Sequence, residues 1–247
     1  MIQRMLAGGL IAGFAAGLLG ALLHFAFVQE LILLGEQYES GALVHFAGTA
    51  DGAEAPPGHD GHDHDHGAAA ETHAQGAAKE AGAVFGRNAL TVLFTVLIYA
   101  GYGLVLVAGF ALAERFGQKV AAAQGLIWGI AGYAAFQLAP AMGLAPELPG
   151  SVAADLGARQ AWWLGTAVCT AAGLGLLGYG RGVLAVLVAV ALLAAPHVIG
   201  APHLDAFYGV APPELAAEFA ARVLGVGLAV WSLLGWLAGR LWASGAA

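Results

Sequence analysis

Residues 59–66 carry the densest set of metal-ligating side chains in the sequence. Histidines and aspartates share this stretch: His59, Asp60, His62, Asp63, His64, Asp65 and His66. Neutral imidazole and carboxylate groups suit divalent Co, Ni, Zn or Cu. They do not favour the soft ion Cu(I). Glycine and alanine flank the stretch, so no helix or strand fixes one ligand geometry. The pattern predicts weakly selective metal capture and argues against a catalytic centre, which needs preorganised ligands. The alternative is a solvated, low-complexity linker.

A second candidate set follows the fifth apolar segment. His197, His203 and Asp205 fall within nine residues, and Pro196 and Pro202 restrict the backbone between them. A broken helix end can line a cavity with liganding groups, as in transporters with discontinuous helices. The alternative is a helix-terminating loop with surface histidines. We interpret the three side chains as candidate metal ligands.

His24 lies inside the first predicted membrane helix, and an ionisable residue there is a functional candidate. A row of small residues at four-residue spacing leads to it: Gly8, Ala12, Ala16 and Gly20. A neighbouring row consists of Gly9, Gly13, Gly17 and Ala21. Such rows let helix backbones approach closely, which predicts that His24 faces protein. The alternative is a packing or snorkelling histidine near the helix end.

Gln137 and Glu147 are candidate vestibule residues. Gln137 precedes Pro140, which weakens the hydrogen-bond ladder beside a polar side chain. Glu147 belongs to a polar loop that follows. Arg159 is interpreted as an interface anchor, and the alternative is an ion pair with Glu147 or Asp155 that holds the loops shut.

The composition indicates a polytopic membrane protein. The 247 residues are 60% hydrophobic and 10% charged, with a mean hydropathy of +0.76, whereas soluble domains carry about 25% charged residues. A net charge of −7 argues against nucleic-acid binding, which needs a basic face. The single cysteine, Cys169, excludes an internal disulfide. The sequence contains none of the P-loop, H-E-x-x-H or G-x-S-x-G motifs, and we predict no enzymatic activity.

Six segments are apolar and long enough to cross a bilayer, which needs about 20 residues. They comprise residues 5–28, 88–113, 120–142, 158–177, 182–199 and 219–242. The predicted fold is an all-α polytopic bundle of about six transmembrane helices with one long His/Asp-rich outer loop. Three regions follow: a first helix with a helical extension (1–39), a flexible loop (40–87) and five further helices (88–247). A five-helix alternative, in which the turn at residues 179–181 is misread, stays open.

The distribution of charge predicts the orientation. With the N-terminus in the cytoplasm, the inner side carries five basic residues and only Glu114, while the outer side carries four basic residues and fifteen carboxylates. The basic excess agrees with the positive-inside bias. An acidic, histidine-rich outer face attracts cations. The sequence therefore predicts that residues 59–66 lie outside.

Three segments make the chain similar to the CbtA family of predicted cobalt transporter subunits. They are Gln137-Leu-Ala-Pro-Ala-Met-Gly-Leu-Ala-Pro-Glu-Leu-Pro-Gly150, Arg159-Gln160-x-Trp162-Trp163 and Pro196-His197-x-Ile199-Gly200-Ala201-Pro202. The resemblance implies a bacterial inner-membrane protein associated with cobalamin-related cobalt uptake. It also implies a small, single-helix, His-rich companion, CbtB. The family is often described with five helices, whereas six segments are predicted here, and residues 59–66 match no motif of the family.

The expected function is uptake of a divalent cation, cobalt first and nickel second, with the ion as cargo and no permanently bound cofactor. The histidines within residues 59–66 and the outer carboxylates would concentrate the ion. Part of its water shell would then be removed by His197, His203 and Asp205. The path across the membrane would begin at His24 with Gln137. One alternative is a membrane metal sensor or binding subunit that conducts nothing. A further alternative, a redox enzyme with haem between His24 and His197, would need both histidines at matched depth in the membrane, and we expect only His24 to lie at such a depth.

Overall fold

The computed structural model describes residues 2–45, 68–206 and 208–245, without the side chains of residues 2, 4 and 68–81. The predicted ligands His59, His62, His64 and His66 lie outside these residues. Within them the chain forms helices, with one isolated backbone bridge between two loops. The helical elements are α1 (Ile2–Phe27), α2 (Gln29–Glu39), α3 (Ala68–Arg115), α4 (Gln124–Tyr133), a π-helical turn (Ala134–Leu138), α5 (Ala139–Ala141), α6 (Leu156–Tyr179), α7 (Gly182–Ile199) and α8 (Pro213–Gly245).

Five of these helices are long and apolar enough to cross a membrane. The spans are Met5–Phe27, Gly82–Arg115, Leu156–Tyr179, Gly182–Ile199 and Pro213–Ser244. They coincide with five of the six predicted segments. The prediction of an all-α, multi-pass membrane protein is confirmed.

The remaining predicted segment is helical but divided. The π-helical turn Ala134–Leu138 separates α4 from α5, and the three elements follow one another without a gap. Pro140 accounts for the division, because a proline inside a helix lacks an N–H donor and its ring clashes with the carbonyl four residues earlier. The wider π turn relieves that clash. Such turns are frequent at functional sites.

Helix α8 runs antiparallel to α1, and the two helices are in contact from near the start of α1 to its end. Gly8 packs against Leu241, Gly20 packs against Val230, and the Arg222 guanidinium donates a 3.0 Å hydrogen bond to the Phe27 carbonyl at the end of α1. The start of α1 and the end of α8 therefore lie at the same end of the bundle. We call this end the terminal face. The opposite end, where α1 ends and α8 begins, carries a cleft described below, and we call it the cleft face.

Helix α4 also runs antiparallel to α8, along a seam of glycines. A β-carbon added to Gly125 or Gly129 would overlap the backbone of α8, and one added to Gly235 would overlap the backbone of α4. The two helices therefore touch backbone to backbone, an approach that only small residues permit. Further along, Gln137 meets Gly227, so the divided segment covers much of the stretch of α8 that α1 also covers.

This arrangement bears on the number of crossings. Because α1 and α8 are antiparallel neighbours and the start of α1 lies on the same face as the end of α8, an even number of crossings is expected among the described helices. Five long spans alone would leave the free ends on opposite faces. The segment from α4 to α5, which is not among the five long apolar spans, would supply the sixth crossing, and that count stays a prediction.

The second small-residue row of α1 packs against α3. Gly13 lies against the backbone of Tyr99 and Ala100, and Gly17 lies against the backbone of Val96. The first row faces α8, and its members Ala12 and Ala16 are fully buried. Both rows of small residues thus mediate helix packing, as the sequence indicates.

Aromatic side chains fill the centre of the bundle around Trp231, which is 2% exposed. Phe136 stacks on Trp231 with a 7° interplanar angle and 5.8 Å between ring centroids, and Tyr102 lies 4.7 Å from the same indole. A β-carbon at Gly132 would overlap this indole. Glycine is therefore required opposite the largest buried side chain.

The chain separates into a unit of residues 1–45 and 95–247 and a unit of residues 46–94. The described part of the second unit is the first portion of α3. The sequence predicts a loop up to residue 87 because an apolar period is absent, whereas the helix already begins at Ala68. Residues 68–81 are rich in Ala, Glu, Gln and Lys, which have high intrinsic helix propensity. Propensity, and not amphipathicity, forms this part of the helix.

Cysteine labelling tests the crossing count. In a chain with Cys169 replaced by Ala, thiols introduced at Gln118 and Ser244 should react from one side of a sealed membrane, and a thiol at Val152 should react from the other. The reason is that α4 to α5 must cross between residues 118 and 152. Gln118 and Val152 reacting from the same side would contradict the six-crossing bundle.

Substitution of a seam glycine tests the packing. Gly129→Ala should lower the free energy of unfolding by about 1–3 kcal/mol, the usual range for overpacking. Gly165→Ala is the matched control because a β-carbon there meets nothing within 4 Å. The comparison is denaturant unfolding in detergent micelles. Equal losses in both variants would show that the backbone contact between α4 and α8 is not required.

Candidate functional site

A cleft of about 380 Å³ opens on the cleft face of the first unit. Its walls are the loop before α6 (residues 143–154), the loop after α7, and the first turns of α8. Glu147, Arg159 and His203 are its charged or imidazole side chains. Two predicted site residues, Glu147 and His203, thus line one cleft.

The two loops are tied to each other by backbone contacts. Ser151 and Gly209 form an antiparallel bridge, and the Val152 N–H donates to the Tyr208 carbonyl at 3.4 Å. Gly150 has a φ of +78°, and a β-carbon there would overlap Val210. The bridge positions both walls of the cleft.

An ion pair closes one side of the cleft. Arg159 Nη2 lies 2.7 Å from Glu147 Oε2, and the two side chains are 25% and 40% exposed. Arg159 comes from the first turns of α6, which Asp155 caps by accepting a 2.9 Å hydrogen bond from the Ala158 N–H. The pairing of Arg159 with Glu147, left open by the sequence, is the one the structure contains. We call it the outer latch.

Trp162 fixes the end of α7 against α6. Its Nε1 donates a 3.0 Å hydrogen bond to the Pro196 carbonyl, which also accepts from the Gly200 N–H at 3.0 Å. Gly200 has a φ of +86° and ends α7. The indole of Trp162 also lies edge-on to the His197 ring, with 6.1 Å between centroids.

The residues predicted at the end of α7 occupy different environments. His197 is half-buried beside Trp162, His203 is exposed in the cleft wall, and Asp205 is exposed without lining the cleft. Among residues 2–45, 68–206 and 208–245, no three His, Cys, Asp or Glu side chains come together in a group that could hold a metal ion. Metal binding by these three residues stays a prediction.

His24 lies in the last two turns of α1 and is half-buried. Its ring packs edge-on against that of the neighbouring Phe25, at 5.7 Å between centroids. It is therefore at the cleft-face end of the bundle, as the sequence indicates. Its part in metal binding stays a prediction.

Gln137 lies in the π-helical turn and does not line the cleft. Its Nε2 donates a 3.2 Å hydrogen bond to the Val223 carbonyl of α8, and its amide group lies against Gly227. It is thus placed between α8 and the divided helix, and its part in a vestibule stays a prediction.

Helix α2 belongs to the cleft face. Its sequence alone did not identify the residues that it packs against. Val28 and Leu31 pack with Leu148, Leu215 and Phe219 in a small apolar cluster. This cluster joins the start of α2 to the loop before α6 and to the first turns of α8. The apolar residues among the glutamates of α2 are a sequence signal that this helix packs against something. They do not identify the surface that it packs against.

The two faces of the first unit differ in charge among the residues described. The cleft face carries eight carboxylates: Glu30, Glu36, Glu39, Glu147, Asp155, Asp205, Glu214 and Glu218. Arg159 and Arg222 are its basic residues, and each is bonded to a carboxylate. The terminal face carries Glu114 with four basic residues: Arg115, Lys119, Arg181 and Arg240. The cleft face therefore attracts cations.

A family model described as "Probable cobalt transporter subunit (CbtA)" matches residues 2–243. The chain belongs to the CbtA family. No curated protein and no solved structure matches it. Membership makes this multi-pass membrane protein a subunit of a cobalt transporter, which implies partner subunits and a non-enzymatic role.

The outer latch of this CbtA protein gives a testable expectation. Arg159→Gln should raise the reaction rate of a thiol placed at Ala220, because the loop before α6 loses its ion pair. The coupling energy of Arg159 and Glu147 should be about 0.2–1 kcal/mol, as for other partly exposed pairs.

The measurement is a double-mutant cycle in which each residue is replaced by Gln, with labelling rates and unfolding recorded in the same micelles. Glu39→Gln is the control, since Glu39 is an exposed carboxylate of the same face. Unchanged labelling in both latch variants would show that the ion pair does not restrict the cleft.

Proposed function

We propose that this chain takes up divalent transition-metal cations across the bacterial inner membrane, with cobalt as the principal cargo and nickel as a second. The N-terminus would face the cytoplasm and the cleft face the periplasm. The observation that carries the proposal is the acidic cleft face of a member of a cobalt transporter family. The separation of charge supports the orientation through the positive-inside bias.

In this proposal the ion is captured before it reaches the cleft. His59, His62, His64 and His66 would raise its local concentration, and the carboxylates of the cleft face would attract it. His203 and Glu147 line the cleft, and His197 lies beside it at the end of α7. With Asp205, they would replace part of the water shell, since imidazole and carboxylate suit Co²⁺ and Ni²⁺. His24 would act at the same end of the bundle.

A second function is favoured by the apolar, aromatic centre of the bundle. Among the described residues, the buried polar side chains are Thr166 and Thr170, and aromatic rings surround Trp231. Such a centre offers few polar groups to a hydrated ion. The alternative proposal is therefore a non-conducting subunit that binds or senses the metal and presents it to a partner. A small, single-helix, His-rich companion of the CbtB type is the partner we propose in either case.

Cobalt uptake into proteoliposomes tests both proposals. The chain is reconstituted alone and with the companion, and entry of radioactive cobalt is measured. We expect His197→Ala with His203→Ala to abolish uptake, because both imidazoles would act on the ion at the cleft. Deletion of residues 59–66 should only raise the cobalt concentration that half-saturates uptake, because that stretch would concentrate the ion and not conduct it.

Undiminished transport in the double histidine variant would remove His197 and His203 from the path. Cobalt binding without flux, even with the companion present, would favour the non-conducting subunit.

A further inference from the structure

Residues of α8 and residues that follow the divided helix line the cleft on two sides, and α8 and the divided helix meet along a seam. On α8, Ala216 and Ala220 line the cleft, and Val223 and Gly227 continue the same helical face below them. Val223 lies three residues beyond Ala220, about 4.5 Å along the axis. On the other side, Gly143 and Leu144 line the cleft and closely follow the π-helical turn. The next polar side chain below the cleft on this seam is that of Gln137.

Gln137 closes the seam at this level. Its Nε2 donates to the Val223 carbonyl at 3.2 Å, and its amide group fills the space that a side chain at Gly227 would occupy. Within the described part of the chain, this donation is the amide's hydrogen bond, and the amide oxygen Oε1 accepts none. An acceptor oxygen without a donor thus belongs to the amide group that donates to the Val223 carbonyl. We call this pair of oxygens, Gln137 Oε1 and Val223 O, the seam oxygens.

Beneath the seam oxygens the bundle is filled by aromatic rings. Phe136, the neighbour of Gln137, stacks on Trp231, and its ring also lies 6.2 Å from that of Trp163. Further towards the terminal face, α4 and α8 meet backbone to backbone at the glycine seam. Rotation at the π-helical turn could therefore open the upper seam while the lower seam stays closed.

We propose that Gln137 is the inner gate of the cleft and that, on releasing Val223, it binds the incoming divalent cation through its amide oxygen together with the Val223 carbonyl. This inference rests on the proposed function, because that function supplies the cation. Neutral oxygens suit the task, since a site on a conduction path must bind an ion weakly enough to release it. The Gln137 side chain then acts first as a hydrogen-bond donor that closes the seam and next as a ligand.

Two near-isosteric variants separate a ligand from a merely structural residue. Gln137→Leu removes the hydrogen bond to Val223, and Gln137→Glu removes it when its carboxyl group is ionised, so a structural role predicts that neither variant binds cobalt more tightly than the unsubstituted chain. A ligand role predicts that they diverge. The Leu variant loses the oxygen and should bind cobalt about tenfold more weakly, as when a metal site loses a supporting group. The Glu variant gains an anionic ligand and should bind cobalt more tightly but release it more slowly.

The binding measurement is quenching of tryptophan fluorescence by CoCl₂ in the purified full-length chain, because Trp163 and Trp231 both lie beside Phe136. Gln37→Leu and Gln37→Glu form the control pair, since Gln37 is exposed on α2. Thermal unfolding of all variants reports whether each chain is folded. The half-quenching concentration should rise in Gln137→Leu, fall in Gln137→Glu and stay constant in the control pair.

Cobalt flux in proteoliposomes is measured on the same variants. Divergent quenching without flux in any preparation would overturn transport by this chain while supporting the seam oxygens as a binding site. Flux in the unsubstituted chain, with quenching and flux alike in both Gln137 variants, would overturn the gate and leave the proposed function standing.

Discussion

The backbone contact between α4 and α8 is the constraint on which the rest of the bundle depends. Gly125 and Gly129 meet Gly235 and Gly239 so closely that no β-carbon fits. This approach gives α8 a fixed neighbour on one side, and the small-residue row of α1 gives it another. Because α8 begins in the cleft wall, the register of these contacts also sets the position of the cleft. The upper part of the same helix pair, held by Gln137 and the π-helical turn, lacks this close contact.

Much of the fold could be predicted from sequence, because a bilayer imposes strong limits on length and polarity. Apolar runs of sufficient length located the spans, and the rows that include Gly13 and Ala12 identified two packed faces of α1. The helical start of α3 was not predicted, since alanine-rich sequence shows no apolar period. The π-helical division of the third segment was not predicted either, because Pro140 alone does not distinguish a helix end from a π turn.

The site could be predicted only in part. Glu147 and His203 were identified as residue types suited to cations, and they do line one cleft. That Arg159 pairs with Glu147, and not with Asp155, depends on the path of a loop that no local pattern fixes. The place of Gln137 depends on Gly227, which is 90 residues away in the chain. Contacts at such separations come from helix packing, and neither residue signals its partner.

The placement of both free ends on the terminal face has a consequence for how this subunit can be joined to others. A second polypeptide fused to either end emerges on the side away from the cleft and leaves the loops around Glu147 and His203 uncovered. Fusion of a single-span partner after α8 would carry that partner across the bilayer beside the bundle in one step. Immobilisation through either end would likewise leave the cleft open to the solution, which suits surface-based measurements of metal affinity.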